Sequence, residues 1–165
     1  MLAKRLFFCY SMYMNQKNTI TGGCLCGKVR FLINGLPIRT FACHCTFCQK
    51  VTGSSFYVES LFDKKSVKFN DGPLNSYEHV SDTSGKKVFA HFCPNCGSTI
   101  GLTFERWPEI HGISRGCLDN PNLVEITSHI WTKSAQAGTV LPSEIDCFYE
   151  ARASLDGIPN QPIER

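Results

Sequence analysis

Neither sign of charge dominates this chain. Its 17 Lys and Arg face 14 Asp and Glu, a formal net charge of +3, too small an excess to mark a dedicated nucleic-acid or membrane surface. There is no basic extension and no stripe of Lys or Arg, which argues against nucleic acid as the partner. No apolar run approaches the roughly 20 residues that span a bilayer. No Ser-His-Asp order, phosphate-cradling glycine loop or carboxylate pair is in place to supply those chemistries. Internal repeats and low-complexity tracts are absent, and no segment keeps a helical period beyond about three turns.

What the chain has in excess is cysteine, ten in 165 residues. Disulfides in an oxidising compartment and thiolate metal sites in a reducing one both produce such a number, and spacing decides between them. The length suits one core. Residues 1–18 read as a leader, disordered or lying before a true start at Met12 or Met14, because the short apolar stretch after Lys4 and Arg5 is broken by Ser11 and no small-residue cleavage pattern follows. Residues 19–150 read as a single zinc-binding β domain. Residues 151–165, with Gly157, Pro159 and Pro162, read as an extended tail.

The chain is expected to be mainly β. Short runs suited to strands cover Lys28 to Ile33, Ser55 to Leu61, Ser66 to Phe69, Leu74 to His79, Lys87 to Phe92, Thr99 to Thr103, Ile110 to Ser114 and Val124 to Ile130. Asn34-Gly35, Asp71-Gly72-Pro73, Ser84-Gly85 and Asp119-Asn120-Pro121 supply turns. Cys45 to Thr52, free of Gly and Pro, is the best place for one helical turn.

Seven cysteines fall in three tight clusters: Cys24-Leu25-Cys26, Cys43-His44-Cys45-Thr46-Phe47-Cys48, and Cys93-Pro94-Asn95-Cys96-Gly97. Two thiolates a few residues apart on a tight turn form one edge of a zinc tetrahedron, with sulfur about 2.3 Å from the metal. A glycine after the second cysteine relieves crowding by taking a left-handed backbone, and Gly27 and Gly97 stand in that place. Cys24, Cys26, Cys93 and Cys96 are therefore the natural set for one closed zinc site; the competing readings are two disulfides or buried free thiols. The middle cluster offers Cys43, Cys45 and Cys48 without an obvious fourth cysteine, which matches a catalytic zinc with one open position. Its alternatives are a second structural zinc completed by His44, His91 or Cys117, or a redox-active trio without metal. Alternation in an extended segment lets Cys43 and Cys45 share a face and turns His44 away, so His44 is not expected to be a ligand. Cys9 and Cys147 read as incidental or core thiols. His79, His91, His111 and His129 lie in strand-like runs and read as ordinary imidazoles.

Taken together, Gly22-Gly23-Cys24-Leu25-Cys26-Gly27-Lys28-Val29-Arg30-Phe31, the middle cluster through Gln49-Lys50, and Phe92-Cys93-Pro94-Asn95-Cys96-Gly97-Ser98 resemble the glutathione-dependent formaldehyde-activating enzyme family, which also includes centromere protein V. The likeness extends to Gly112-Ile113, Leu118-Asp119-Asn120-Pro121 and His129-Ile130-Trp131, covering about Thr21 to Lys133. It implies a β-tent zinc fold of short antiparallel sheets, with at most a short helical turn after the middle cluster. It implies two zinc ions per chain, a structural one on Cys24, Cys26, Cys93 and Cys96 and a catalytic one on Cys43, Cys45 and Cys48. The activity it implies is that of a zinc-dependent carbon–sulfur lyase acting on a glutathione adduct or another small thiol, in the cytoplasm, as an S-hydroxymethylglutathione synthase does.

Lys50, Arg115 and Lys133 are candidates to meet the carboxylates of glutathione, although ordinary solvated charge is the simpler reading of each alone. Two other functions compete. One is a non-catalytic zinc module for protein or nucleic-acid association, as in centromere protein V. The other is a methionine sulfoxide reductase of the related zinc fold with Cys117 as the reactive thiol, which would leave the middle trio without a purpose.

Overall fold

The computed structural model describes residues 19–164. The expected leader and Cys9 lie outside the described residues. The mainly β expectation holds: among the described residues, eleven strands and one short helix make up the regular structure, with a few single 3-10 turns. In chain order the strands are β1 (Thr19–Gly23), β2 (Arg30–Asn34), β3 (Arg39–Cys43), β4 (Tyr57–Asp63), β5 (Val67–Phe69), β6 (Asn75–Val80), β7 (Lys87–Phe92), β8 (Thr99–Phe104), β9 (Ile110–Ser114), β10 (Ser128–Ile130) and β11 (Asp146–Cys147). The helix α1 (Thr46–Thr52) occupies the segment where a helical turn was expected.

Two sheets result. A small one orders its strands β1-β2-β5, and a large one runs β11-β10-β3-β4-β9-β8-β7-β6. The pairings from β3 through β6 are antiparallel, while β10 lies parallel to both β3 and β11. That parallel pair comes from a long excursion after β9, which carries the chain back to the outer side of β3. The alternation in β2, with Phe31 and Ile33 buried and Arg30, Leu32 and Asn34 exposed, is that of a half-buried strand. At the far edge β6 is almost wholly exposed, and Glu78 pairs with Lys87 of β7 at 2.9 Å, charges that discourage further pairing.

The large sheet buries both faces. Phe62 of β4 and Ile113 of β9 project to one side and join Ile20, Phe31 and Ile33 of the small sheet in a core that also contains Cys24 and Cys93. Tyr57 of β4 has the opposite parity; with Leu102 and Ala90 it packs beneath α1 in a second core containing Cys43 and Cys48. Past β11 the chain folds back, and the Ile163 N–H donates to the Cys147 carbonyl at 2.7 Å.

Among the described residues, no helix is long and apolar enough to cross a membrane.

Candidate functional site

The first cysteine group is assembled by two turns that resemble each other. After β1, the Gly27 N–H donates to the Cys24 carbonyl at 3.0 Å and the Val29 N–H points at the Cys24 sulfur at 3.2 Å. After β7, the Gly97 N–H donates to the Cys93 carbonyl at 2.8 Å and the Cys93 N–H to Ser98 at 3.0 Å. Gly27 and Gly97 take φ of 76° and 73°, the left-handed backbone expected of them. The turns are tied together by the Leu25 N–H donating to Ser98 Oγ at 3.1 Å and by Lys28 Nζ donating to Asn95 at 2.8 Å.

Cys24 and Cys26 sulfurs stand 3.4 Å apart and those of Cys26 and Cys93 3.8 Å, and the four sulfurs of Cys24, Cys26, Cys93 and Cys96 all lie within 4.8 Å of one another. A tetrahedron with sulfur about 2.3 Å from zinc has edges of about 3.8 Å, so the donor set fits that ion. Hydrogen bonds from Ser98 pull the Cys96 thiol down to about 5, making it a ready thiolate.

The second group is built over only six residues. Cys43 ends β3, Cys45 caps α1 and Cys48 sits in its first turn. Their three sulfurs also lie within 4.8 Å of one another, and among the described residues no fourth sulfur, imidazole or carboxylate joins them. Bonds from Cys43 and Cys48 push the Cys45 thiol down to about 3, while the same bonds and burial push Cys43 and Cys48 up. A soft divalent cation that displaced the remaining protons would suit the set.

The candidate fourth ligands of the trio are accounted for elsewhere. His44 is fully buried and turned away, its Nε2 2.9 Å from His129 Nδ1 with the two rings stacked. Burial and the neighbouring His129 push it down to about 4, which keeps it neutral. His91 Nε2 pairs with Thr103 Oγ1 at 2.8 Å. Cys117 donates to the Thr99 carbonyl at 3.3 Å, and burial pushes its thiol up to about 11. Cys147 is buried, in line with a core thiol, and the nine described cysteines form no disulfides with one another.

The candidate cations are dispersed. Lys50 lines a cavity of about 380 Å³ beside α1 with Gln49, Ser54, Ser55 and Gln136. Arg115 lines a separate cavity of about 710 Å³ alongside Glu125, Glu144 and Asp146, and its Nε donates to the Val124 carbonyl at 3.1 Å. Lys133 is already engaged, paired with Glu150 and lying over the rings of Trp131 and Tyr149.

Sequence reasoning passed over a layer of buried polar groups on the trio's side of the large sheet. Tyr57 Oη pairs with Ser114 Oγ at 2.8 Å, and Ser114 donates to the Thr99 carbonyl at 2.6 Å. Glu59, next on the same face of β4, is 3% exposed, and its Oε1 has no hydrogen-bond partner among the described residues. Burial, reinforced by the charge of Cys45, pushes its carboxyl well above the usual carboxylate range. Glu59 lies inside the Ser55 to Leu61 run expected to be a strand, and only the strand register reveals its burial.

Residues 19–134 match the family model described as glutathione-dependent formaldehyde-activating enzyme. A Halomonas elongata protein provisionally named a glutathione-dependent formaldehyde-activating enzyme is 28% identical over 94 residues, which is 55% of this chain and 60% of the relative. The chain thus matches 60% of that curated relative's length. A crystal structure of a Rhodobacter sphaeroides protein has a similar fold, with a TM-score of 0.50 at 23% identity, covering 64% of this chain and 96% of that one.

Proposed function

This chain belongs to the glutathione-dependent formaldehyde-activating enzyme family, and from that premise we propose that it is a zinc-dependent carbon–sulfur lyase acting on a glutathione adduct or another small thiol. The observation that carries the reading is the open trio: Cys43, Cys45 and Cys48 bring three sulfurs together with no fourth donor among the described residues. In this reading Cys24, Cys26, Cys93 and Cys96 hold a structural zinc, and the trio holds the second. Zinc at the trio would supply the ionisation of a thiol arriving at the open corner. The reaction is then addition of that thiol to formaldehyde, or its reversal.

The chain's own residues shape the site around that corner. Phe47, Val51, Ile130 and Trp131, partly buried against the trio's core, restrict water. Three thiolates give the site a negative balance even with a divalent ion, so a cationic neighbour helps an anionic substrate to settle; Lys50, beside α1, is the candidate. Two clusters of reduced thiols fit a reducing compartment, which supports a cytoplasmic location.

Two measurements on the purified chain test the reading. Zinc per chain is expected to be two in the wild type and one in Cys43→Ser with the fold retained. Condensation of formaldehyde with glutathione is expected to run faster than the uncatalysed reaction in the wild type only. Absence of acceleration at full zinc occupancy would remove the proposed activity.

A further inference from the structure

Glu59 is a costly residue to bury. Its Oε1 is without a partner among the described residues, and an unsatisfied buried polar atom is destabilising. A leucine or methionine of similar size would avoid that cost, so packing alone does not account for the carboxyl. The sheet makes specific room for it. Gly112 of β9 lies diagonally across from it, and a Cβ on Gly112 would fall 1.8 Å from Glu59 Oε1. The register places Glu59 between Phe41 of β3 and Ser114 of β9. Alternation then puts its side chain on the face that carries Tyr57 and Cys43, the face against which α1 packs. The carboxyl therefore lies on the trio's face of the sheet, leaning towards Gly112.

We infer that the Glu59 carboxyl is the acid of the three-cysteine site, donating a hydrogen bond and then its proton to the oxygen of the hydroxymethyl group formed there. This inference rests on the carbon–sulfur chemistry proposed above. A buried carboxylic acid kept in its neutral form is a strong hydrogen-bond donor at neutral pH, and burial pushes the Glu59 carboxyl towards that form. In the forward direction the thiol has already lost its proton to solvent. Its sulfur lone pair forms the S–C bond, the C=O π pair moves onto oxygen, and that oxygen takes the proton of Glu59. The Glu59 carboxylate regains a proton from water, so the sum is thiol plus formaldehyde giving the S-hydroxymethyl thiol. In reverse, Glu59 accepts the hydroxyl proton as the C–S bond breaks. Three thiolates outweigh the charge of a divalent ion, so an oxyanion formed beside those sulfurs would be repelled, and prompt protonation removes it.

The test combines a binding spectrum with rates. Infrared difference spectra of the zinc-loaded protein, with and without S-hydroxymethylglutathione, are expected to show a protonated-carboxyl band that shifts on addition and is missing from both Glu59→Gln and Glu59→Leu. Both variants are expected to keep two zinc ions per chain, and Glu59→Gln to slow the condensation and its reversal by about 100-fold. A band that does not move, or a Glu59→Gln protein as fast as the wild type, overturns the inference. Loss of zinc in both variants would also overturn it, because Glu59 would then be structural. If the band shifts but the wild type gives no acceleration, the proposed activity fails while Glu59 stands as the donor to a bound hydroxymethyl thiol. If neither occurs, both are overturned.

Discussion

The sulfur of Cys45 accepts the backbone N–H of Cys48 at 3.4 Å, so one side chain caps α1 and also belongs to the three-sulfur group. Local folding and the proposed metal chemistry therefore meet in one atom, and they can be separated by the choice of substitution.

Serine is a favoured N-cap but a poor soft-metal ligand. Cys45→Ser is expected to lose one metal ion per chain with little further change in stability. Cys45→Ala is expected to lose the same ion and about 1 kcal/mol more, because the cap goes too. Urea unfolding with metal analysis on the same samples checks this; equal midpoints for the two metal-depleted variants would show that the sulfur does not cap α1 in solution.

The two cysteine groups are expected to release metal in different regimes. The quartet includes Cys24 and Cys93, both inside the first core, whereas the trio supplies only three ligands. A chelator titration followed by circular dichroism is expected to remove one ion with the β signal intact, and the second only as the signal collapses. Cys93→Ala is expected to give no folded product.

Gly101 and Gly112 are both expected to reject a methyl group, for different reasons. A Cβ on Gly101 would lie 2.0 Å from the Gly112 backbone oxygen, whereas one on Gly112 meets the Glu59 side chain. Each Gly→Ala change is expected to cost about 3 kcal/mol. Adding Glu59→Ala should recover much of the loss for Gly112→Ala and none for Gly101→Ala. Equal recovery would mean that the obstacle is not the Glu59 carboxyl.

Acid should weaken the fold partly through His111. It is buried with Nε2 unpartnered among the described residues, and burial, with His91 and Lys64 nearby, pushes it down to about 4. The unfolded chain binds a proton near 6.5, before the folded one does. The stability from its neutral form is therefore fully present above about pH 6.5 and is lost as pH falls towards 4, by up to about 3 kcal/mol. His111→Leu is expected to flatten the fall in melting temperature over that window, and an unchanged slope would place the acid sensitivity elsewhere.

Strand existence was largely legible, because short β-type runs bounded by turn residues are a local signal. Lys87–Phe92 and Ile110–Ser114 begin and end as read. β1 and β3 escaped notice: Thr19–Gly23 ends in two glycines, and Arg39–Cys43 follows Pro37 with little alternation. Both exist because of their partners, β3 lying between β4 and β10. The long strand expected over Val124 to Ile130 shrinks to Ser128–Ile130, since the Pro121–Leu123 turn and the Thr127 N–H bonded to Thr40 occupy the approach.

By itself the sequence determined the donor groups. A pair or trio of sulfurs within six residues is brought together by turn geometry, which local residues such as Gly27, Gly97 and the cap at Cys45 control. Tertiary structure alone decided what those groups become. It joins Cys26 to Cys93 across 67 residues, sets the quartet and the trio in cores on opposite faces of the large sheet, and turns Glu59 inward beside the trio's face. These depend on strand register, where a shift of one residue exchanges the faces, and register is settled by partners far away in the chain.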